Sequence, residues 1–319
     1  MKLLKRLMAG VASAGLLAGA SQAQPADASS GQAVEILVPF TAGGVVDIMA
    51  RGFAAAFGKY LNQRVVVVNR AGAGGVVAMA SLVNAPADGH TVAFSVVTPL
   101  TVQPHRMKSM PFAPADVVPV CQTFENAFLI AAPPGSPYKD FETLSAAARA
   151  RPGKITYGHP GPASSPHLSA LELWRAAKLE LSDVPYQGES QMAPQLLSGQ
   201  VELGSVTAAM VITQKLQPLL VFADKRLEEF PNVPTSAELG YPIKPSGYGG
   251  LFVRRGLPAE SLARLEAACQ KAMNDSDYQA LARRQFQLSE YLDAKAFAER
   301  IAADYRAKAQ LIPTLNLTQ

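Results

Sequence analysis

The chain has few of the residues that usually carry catalysis or hold metals. Its 319 residues include two cysteines, four histidines and one tryptophan. The cysteines and histidines lack metal-ligand spacing, so we expect no metal site. No basic run alternates with aromatic residues, which argues against nucleic acid as a partner. The apolar run over 7–20 is too short to span a bilayer and no later run is long enough, so we expect a soluble protein.

The N-terminus has the features of a secretory signal peptide. Three basic residues within the first six precede an apolar run over 7–20, and Ser21-Gln22-Ala23 supplies the small residues that a signal peptidase recognises. We predict a signal peptide over 1–23 and a periplasmic location. An uncleaved membrane anchor is the alternative. The formal net charge is +4, but three of these charges leave with the signal, so the mature chain is close to neutral.

The remaining length fits two domains of ordinary size, each with its own core. Cys121 and Cys269 lie far apart in the sequence. In an oxidising compartment they could form a disulfide, but two buried free thiols fit the sequence equally well.

Strand and helix patterns alternate through most of the chain. Four consecutive valines at 65–68 form an unalternated β-branched run, typical of a parallel strand buried on both faces. The patterns predict strands at 34–39, 64–68, 91–97, 128–132, 155–157, 181–185, 201–205, 217–223 and 251–253. They predict helices at 46–61, 76–84, 140–149, 166–177, 191–198, 258–274, 275–284 and 294–311. A β-α-β-α-β order that occurs twice predicts an α/β fold of two lobes, each a mainly parallel sheet flanked by helices, with a cleft between them.

Three strands run into small-residue loops that open helices, at 36–44, 65–75 and 155–165. Each loop places backbone N–H groups and the positive end of a helix dipole at the carboxyl end of a strand. This arrangement binds anions. The pattern therefore favours a protein that binds small anions over an enzyme.

The first loop is predicted to contact the ligand and contains Phe40, Thr41, Ala42, Gly43 and Gly44. The glycines permit close backbone approach, and the threonine adds a hydroxyl donor. A plain strand-to-helix connection is the alternative. Asp47 follows in the first helical turn, where a capping role explains it at least as well as ligand contact.

The second loop contains Gly72, Gly74 and Gly75. A dinucleotide fingerprint needs glycines in a fixed order and an acid at the end of the next strand, which is lacking here. No loop continues into the Gly-Lys-Ser/Thr of a phosphate-binding P-loop. A turn that lets helix 76–84 pack on the sheet explains this loop as well as ligand contact does.

The third loop offers the sharpest candidate for a carboxylate site. Pro166 suits the first helical position and Ser165 the cap before it. The hydroxyls of Ser164 and Ser165, after Gly161, could bind a carboxylate, and His167 could add a donor or a positive charge. An ordinary capped helix with an exposed histidine is the alternative.

A further turn, Tyr186-Gln187-Gly188, could contact a ligand through the tyrosine ring and the polar groups of Tyr186 and Gln187. A plain strand-to-helix turn is the alternative. Trp174 falls among leucines and suits the core. Hydrolase chemistry is disfavoured, because no Gly-x-Ser-x-Gly elbow is present and a Ser164–His167 pair within one helical turn is common by chance.

Several segments in order resemble one known family. They are Val38-Pro39-Phe40-Thr41-Ala42-Gly43-Gly44, Asn69-Arg70-Ala71-Gly72, Ala87-Asp88-Gly89-His90-Thr91, Ser164-Ser165-Pro166-His167-Leu168, Val184-Pro185-Tyr186-Gln187-Gly188, Leu197-Ser198-Gly199-Gln200-Val201-Glu202 and Val233-Pro234-Thr235-Ser236. Together they resemble the tripartite tricarboxylate transporter receptor family, the TctC or Bug-type periplasmic solute-binding proteins. The resemblance covers nearly the whole mature chain.

The resemblance implies a two-lobed, Venus-flytrap fold that closes on an organic acid. It implies one lobe from 24–125 plus 246–319 and a second from 126–245. In the family, the first-strand loop and the Ser-Ser-x-His loop grip a carboxylate. Carried over, these contacts are Phe40, Thr41, Gly43, Gly44, Gly161, Ser164, Ser165 and His167. Our further candidates are Ala42, Asp47, Thr98, Tyr186, Gln187, Gly188, Thr207 and Tyr248.

The chain departs from the family pattern near the cleft. Family members commonly have an aspartate a few residues after a Gly-Gln-Val-Asp segment, but this chain has Val206-Thr207 in that region. The family's late strand often has Ser-Trp-Tyr-Gly, where this chain has Ser246-Gly247-Tyr248-Gly249. The loss of an acid and a tryptophan predicts a roomier cleft. We therefore expect a ligand other than an amino acid, such as an aromatic or larger dicarboxylate.

The resemblance implies a monomeric periplasmic receptor, without a cofactor, that delivers a small organic carboxylate to the permease subunits of a tripartite transporter. A solute sensor for a signalling partner would have the same sequence features. A secreted α/β enzyme acting on a small acid is disfavoured by the lack of a nucleophile-base pair.

Overall fold

The computed structural model describes residues 31–186, 188–223, 225–245, 247–315 and 317. The predicted signal peptide lies outside these residues. Within the described ranges, every helix is too short or too polar to cross a membrane.

The N-terminal part of the chain alternates strands and helices. Its elements are β1 (Val34–Val38), α1 (Val45–Leu61), β2 (Val65–Asn69), α2 (Val76–Asn84), β3 (Thr91–Val96), α3 (Thr98–Thr101) and β4 (Val117–Asn126). The middle part forms β5 (Phe128–Ala132), α4 (Phe141–Ala150), β6 (Thr156–His159), α5 (Ser165–Ala176), β7 (Ser182–Pro185), α6 (Glu189–Leu197), β8 (Leu203–Thr207), α7 (Ala208–Thr213) and β9 (Gln217–Phe222). The C-terminal part forms β10 (Tyr248–Arg254), α8 (Ala259–Met273), α9 (Ser276–Arg284), β11 (Gln287–Leu288) and α10 (Ala294–Leu311), followed by a 3-10 turn at Ile312–Leu315.

The strands form two sheets. The first has the order β11-β4-β10-β3-β1-β2 and the second β7-β6-β8-β5-β9. We call the unit built on the first sheet lobe 1 and the unit built on the second lobe 2. Strands from both ends of the chain share lobe 1, a division compatible with the lobe bounds at 24–125 plus 246–319 and 126–245, which stay a prediction.

Both sheets are mixed. The β-α-β units pair in parallel, β2-β1-β3 in lobe 1 and β7-β6-β8 in lobe 2. In contrast, β10 is antiparallel to β3 and β4, and β5 is antiparallel to β8 and β9. The valine run of β2 is half-buried, and its predicted burial on both faces is wrong, because β2 lies at the edge of its sheet.

The core of lobe 1 contains a series of packed aromatic rings among aliphatic side chains. Phe53 of α1 packs on Phe94 of β3 with ring centroids 5.4 Å apart, and Phe94 stacks on Phe124 of β4 at 5.2 Å. A disulfide joins Cys121 of β4 to Cys269 of α8 within this core. Of the two alternatives that the sequence left open, the structure therefore has the disulfide.

The core of lobe 2 contains the single tryptophan. Trp174 of α5 is buried and meets the Tyr157 ring edge-on, with centroids 5.7 Å apart. The core role predicted for Trp174 is confirmed.

The two chain segments that pass between the lobes are hydrogen-bonded to each other. Asn126 donates to the carbonyl of Gly247 from its backbone N–H at 2.9 Å and from Nδ2 at 2.8 Å. A side chain at 247 would overlap the Phe128 ring, so glycine is required for this close approach. Asn126 and Gly247 both line the space between the lobes.

Candidate functional site

A cavity of about 400 Å³ lies between the loops of the two lobes. Its walls come from both lobes and from the strands that join them. The described lining residues are Phe40, Val46, Gly74, Val96, Thr98, Gln103, Asn126, Phe128, Pro160, Gly161, Pro162, Ala163, Ser164, Ser165, Pro166, Glu189, Thr207 and Gly247. We call this space the interlobe cavity.

Within the described residues, five helices have their amino-terminal end at the interlobe cavity. The cavity is lined by the first residue of three helices, Thr98 of α3, Ser165 of α5 and Glu189 of α6, by the cap Thr207 of α7 and by the second residue of α1, Val46. The amino-terminal end of a helix carries partial positive charge and backbone donors, so this convergence favours an anion. The longer helices, α1 of lobe 1 and α5 of lobe 2, face it from opposite sides.

The first predicted loop reaches the cavity only through Phe40. Residues 41–44 are exposed and do not line it. Asp47 lies buried behind the loop, where its carboxylate accepts hydrogen bonds from the Gly43 N–H at 2.9 Å, Arg51 Nε at 3.0 Å and Asn69 Nδ2 at 2.8 Å. Burial opposes the charge, but these hydrogen bonds outweigh it and lower the pKa of Asp47. Asp47 therefore shapes the loop, as the capping alternative predicted.

The third predicted loop lines the cavity directly. Gly161, Ser164 and Ser165 are all at its wall. Ser164, rather than Ser165, caps α5: its Oγ accepts from the His167 N–H at 3.4 Å and donates to the Gly161 carbonyl at 2.7 Å. The predicted cap was wrong by one residue, because the helix begins one residue earlier.

His167 faces away from the interlobe cavity. Its buried ring accepts a hydrogen bond at Nδ1 from the Ala163 N–H at 3.0 Å and stacks on His159 with centroids 3.7 Å apart. His159 Nδ1 accepts from the Gly161 N–H at 3.3 Å. Burial and the neighbouring His159 lower the pKa of His167 to about 3. The predicted donor or positive charge is therefore wrong, and His167 instead supports the loop from behind.

His159, His167 and Asp183 form a cluster that resembles a metal site, with ligand atoms within 4.8 Å of one another. The Asp183 carboxylate is 3.3 Å from His159 Nε2 and 4.0 Å from His167 Nε2. Because each Nδ1 accepts a backbone hydrogen bond, each neutral ring carries its proton on Nε2. Neither Nε2 then has a lone pair for a metal, and the cluster is best described as two imidazoles that face one carboxylate.

Tyr248 lies in a second cavity, of about 600 Å³, and not in the interlobe cavity. Its ring packs 3.9 Å from the Arg300 guanidinium carbon, and its hydroxyl donates to Asp304 at 3.4 Å. Burial raises the pKa of Tyr248. The predicted ligand contact at Tyr248 is therefore wrong for the interlobe cavity, because the side chain points to α10.

Charged groups of the second cavity pair with one another. Arg300 forms two hydrogen bonds with the Glu125 carboxylate, at 2.8 and 2.9 Å. Lys308 of α10 is buried and contacts Glu172 of α5 at 2.7 Å. This second pair connects lobe 1 to lobe 2, so the cavity forms part of the joint between them.

The remaining predicted residues divide between the cavity and its surroundings. Thr98 and Thr207 line the interlobe cavity. Tyr186 is half-buried and packs with the apolar cluster that contains Met192, and Gly188 caps α6. Gln187 lies outside the described residues.

Glu189 is the main site residue that sequence reasoning missed. Its carboxylate accepts hydrogen bonds from the Thr207 N–H at 2.6 Å and the Thr207 hydroxyl at 2.7 Å. Burial raises the pKa of Glu189, and the two hydrogen bonds offset part of this effect. In the sequence Glu189 is an ordinary first-turn acid, and only the pairing of β8 with β6 places Thr207 beside it.

Two α/β lobes around a shared cavity define this chain as a solute-binding protein of the periplasmic type. A model of the tripartite tricarboxylate transporter family receptor (TctC) matches residues 49–317. A Cupriavidus necator relative, the UPF0065 protein in the gbd 5′ region, is 31% identical over 98% of this chain and 96% of its own.

Solved structures agree with this assignment. A TctC solute-binding protein from Polaromonas is 30% identical, with a TM-score of 0.76 over 89% of this chain and 98% of its own. An R. palustris protein with adipate is 25% identical, with a TM-score of 0.78 over 89% and 97%. MatC from Rhodopseudomonas palustris with bound malate is 25% identical, with a TM-score of 0.73 over 88% and 99%. The chain belongs to the TctC family of periplasmic solute-binding receptors.

Proposed function

We propose that this protein is a periplasmic receptor that captures a small organic carboxylate in the interlobe cavity and delivers it to the membrane subunits of a tripartite tricarboxylate-type transporter. We propose further that it is exported by cleavage after Ala23 and acts as a monomer and not as an enzyme. The observation that carries the proposal is the convergence of helix starts from both lobes on one cavity. Relatives solved with adipate and with malate support a carboxylate as the ligand.

The binding chemistry we propose uses helix dipoles and hydroxyl groups. The start of α5 at Ser165 would face one carboxylate group of the ligand, and Val46 in the first turn of α1 lies on the wall that lobe 1 supplies. The Ser164 hydroxyl is already used by the helix cap. Each lobe supplies part of these groups, so a bound ligand stabilises the arrangement in which the lobes are close together.

The expectation of a roomier cleft needs revision. The Phe128 ring fills the space that a side chain at 247 would occupy, and Glu189 supplies an acid from another position. A volume of about 400 Å³ suits a small acid. An aromatic or larger dicarboxylate remains our proposed ligand class, now supported by the adipate-bound relative rather than by extra space.

The test is a ligand screen on the mature protein. Mono-, di- and tricarboxylates, aliphatic and aromatic, and amino acids are tested by thermal shift, and hits are measured by calorimetry. A ligand at about 100 times its Kd adds about 2.7 kcal/mol to stability, which shifts Tm visibly. A carboxylate hit is expected. Binding of cationic amino acids alone would contradict the proposal, as would turnover of the bound ligand.

A further inference from the structure

Glu189 places a carboxyl group at the wall of the interlobe cavity. Among the described residues that line this cavity, it is the only one with an acidic or basic side chain. The elements around it add no further such group: α6 after Glu189, β8, α7 and the loop 160–166 contain no Asp, Glu, Lys, Arg or His. His159 and His167 face Asp183, and Asp47 is bonded to Arg51 behind the first loop.

The hydrogen bonds of Glu189 leave it able to bind one more partner. Thr207 donates once to each carboxylate oxygen. Each oxygen of an ionised carboxylate has two lone pairs, so one acceptor position on each stays available. An ionised carboxyl group can only accept, and it therefore requires a hydrogen-bond donor on whatever lies next to it.

We propose that Glu189 selects the second functional group of the ligand. The carboxylate of the ligand lies at the starts of α1 and α5. The other end of the ligand must then present a hydrogen-bond donor to Glu189. The donor is a hydroxyl, an ammonium group, or the proton shared between Glu189 and a second carboxyl group. This inference rests on the proposed function and deepens it.

The three kinds of donor differ in how ligand binding depends on protons. A hydroxy acid binds without taking up a proton. A dicarboxylate must take up one proton, because two ionised carboxylates cannot share this site without strong repulsion. The burial that already raises the pKa of Glu189 makes this uptake easier. An ω-amino acid binds only while Glu189 is ionised.

The experiment compares the mature wild-type protein with the Glu189→Gln variant. Calorimetry measures the Kd of straight-chain monocarboxylates, ω-hydroxy acids, ω-amino acids and dicarboxylates of matched length between pH 6 and pH 8. Wild type is expected to prefer at least one donor-bearing series over the plain monocarboxylates by about tenfold or more. If dicarboxylates bind, their Kd falls about tenfold for each pH unit that the pH is lowered. Glu189→Gln keeps an acceptor oxygen but has no charge, so it is expected to weaken the preference for hydroxyl and ammonium groups and to lose the pH dependence.

The matched control is Glu202→Gln, because Glu202 lies in the same lobe and bonds to Tyr138 outside the interlobe cavity. It is expected to bind as wild type does. Proton uptake by wild type is also measured in buffers of different ionisation enthalpy, so the test does not depend on the variant's folding. Equal ligand preference and pH slope in wild type and Glu189→Gln, or dicarboxylate binding without proton uptake, would overturn the inference while carboxylate binding stands. Failure of every carboxylate to bind either protein would instead overturn the proposed function.

Discussion

Two adjacent serines at the start of α5 have different roles. Ser164 Oγ is engaged with the helix cap, whereas Ser165 is the first residue of the helix and lines the interlobe cavity. We expect Ser165→Ala to weaken carboxylate binding by about 1.5–3 kcal/mol, the value of a hydrogen bond to a charged group. Calorimetry with the best ligand from the screen measures this loss.

Ser164→Ala is the control for this prediction. Removal of the cap is expected to reduce the free energy of unfolding by about 0.5–2 kcal/mol, measured by urea denaturation. An unchanged affinity in Ser165→Ala would remove Ser165 from the site.

The stacked histidines give a prediction for the effect of pH on stability. Burial and His159 lower the pKa of His167 to about 3, from 6.5. Between these values the unfolded state binds more protons than the folded state, so stability is complete above about pH 6.5 and falls as the pH is lowered. Urea denaturation at pH 7 and pH 5 is expected to show a loss of up to about 2 kcal/mol from this residue.

His167→Gln is the matched variant, because its amide oxygen can still accept from the Ala163 N–H but does not titrate. Its loss of stability between pH 7 and pH 5 should be smaller than that of wild type by this amount. Identical losses in the two proteins would show that His167 is charged in the folded state.

Side-chain direction limited what the sequence could predict about the site. Six of the predicted residues line the interlobe cavity, because loops at the carboxyl ends of strands meet there. They are Phe40, Thr98, Gly161, Ser164, Ser165 and Thr207. His167 and Tyr248 stand beside correctly placed loops but point away. Nothing in a single sequence shows that Nδ1 of His167 accepts from its own loop, or that α10 brings Arg300 over Tyr248.

At the scale of elements, most strands and helices follow from hydrophobic periodicity. The predicted helices 76–84 and 294–311 and the strand 128–132 agree with the structure to the residue. In contrast, β4 was missed, because Pro119 interrupts its apolar run and a proline argues against a central strand. The bulged register between β4 and β10 accommodates it. The six-residue α7 was missed because an apolar run directly after β8 has no helical period of its own.

The disulfide joins two of these elements, β4 and α8, across 148 residues. In the chain-entropy description, its removal in the Cys121→Ala/Cys269→Ala variant costs about 4–5 kcal/mol. Neither cysteine lines the interlobe cavity, so the Kd for ligand should stay the same. Thermal unfolding with and without a reductant measures the effect.

The double variant itself is the control, since a reductant should lower Tm in wild type and leave the variant unchanged. An unchanged wild-type Tm under full reduction would show that the bond contributes nothing to stability.

At the scale of the whole molecule, α10 holds the two lobes together. Its buried Lys308 contacts Glu172 of lobe 2, and Ile312 after the helix packs with Val102, Ala163 and Leu168. Burial raises the pKa of Glu172, and Lys308 opposes this shift. Lys308→Met leaves the Glu172 charge without its partner, which costs about 3–5 kcal/mol for a buried pair. We expect lower stability in urea and a larger radius of gyration by X-ray scattering without ligand.

Two further variants make this test specific. Lys308→Met/Glu172→Gln should recover part of the lost stability, since no unpaired charge remains. Lys59→Met removes an exposed lysine that pairs with Asp275 within lobe 1, and its radius of gyration should match that of wild type. If Lys308→Met also scatters as wild type does, the pair does not hold the lobes together.

The position of β10 has a consequence for the order in which the protein assembles. In lobe 1, β10 lies between β3 and β4, yet every strand of lobe 2 precedes it in the sequence. A chain that emerges with its N-terminus first can therefore complete the sheet of lobe 2 from one continuous segment. Until β10 has emerged, the edges of β3 and β4 that pair with it remain unpaired. The lobe that begins the sequence is then the last to close, and during that interval its open edges are the part of the nascent protein that most needs protection from aggregation.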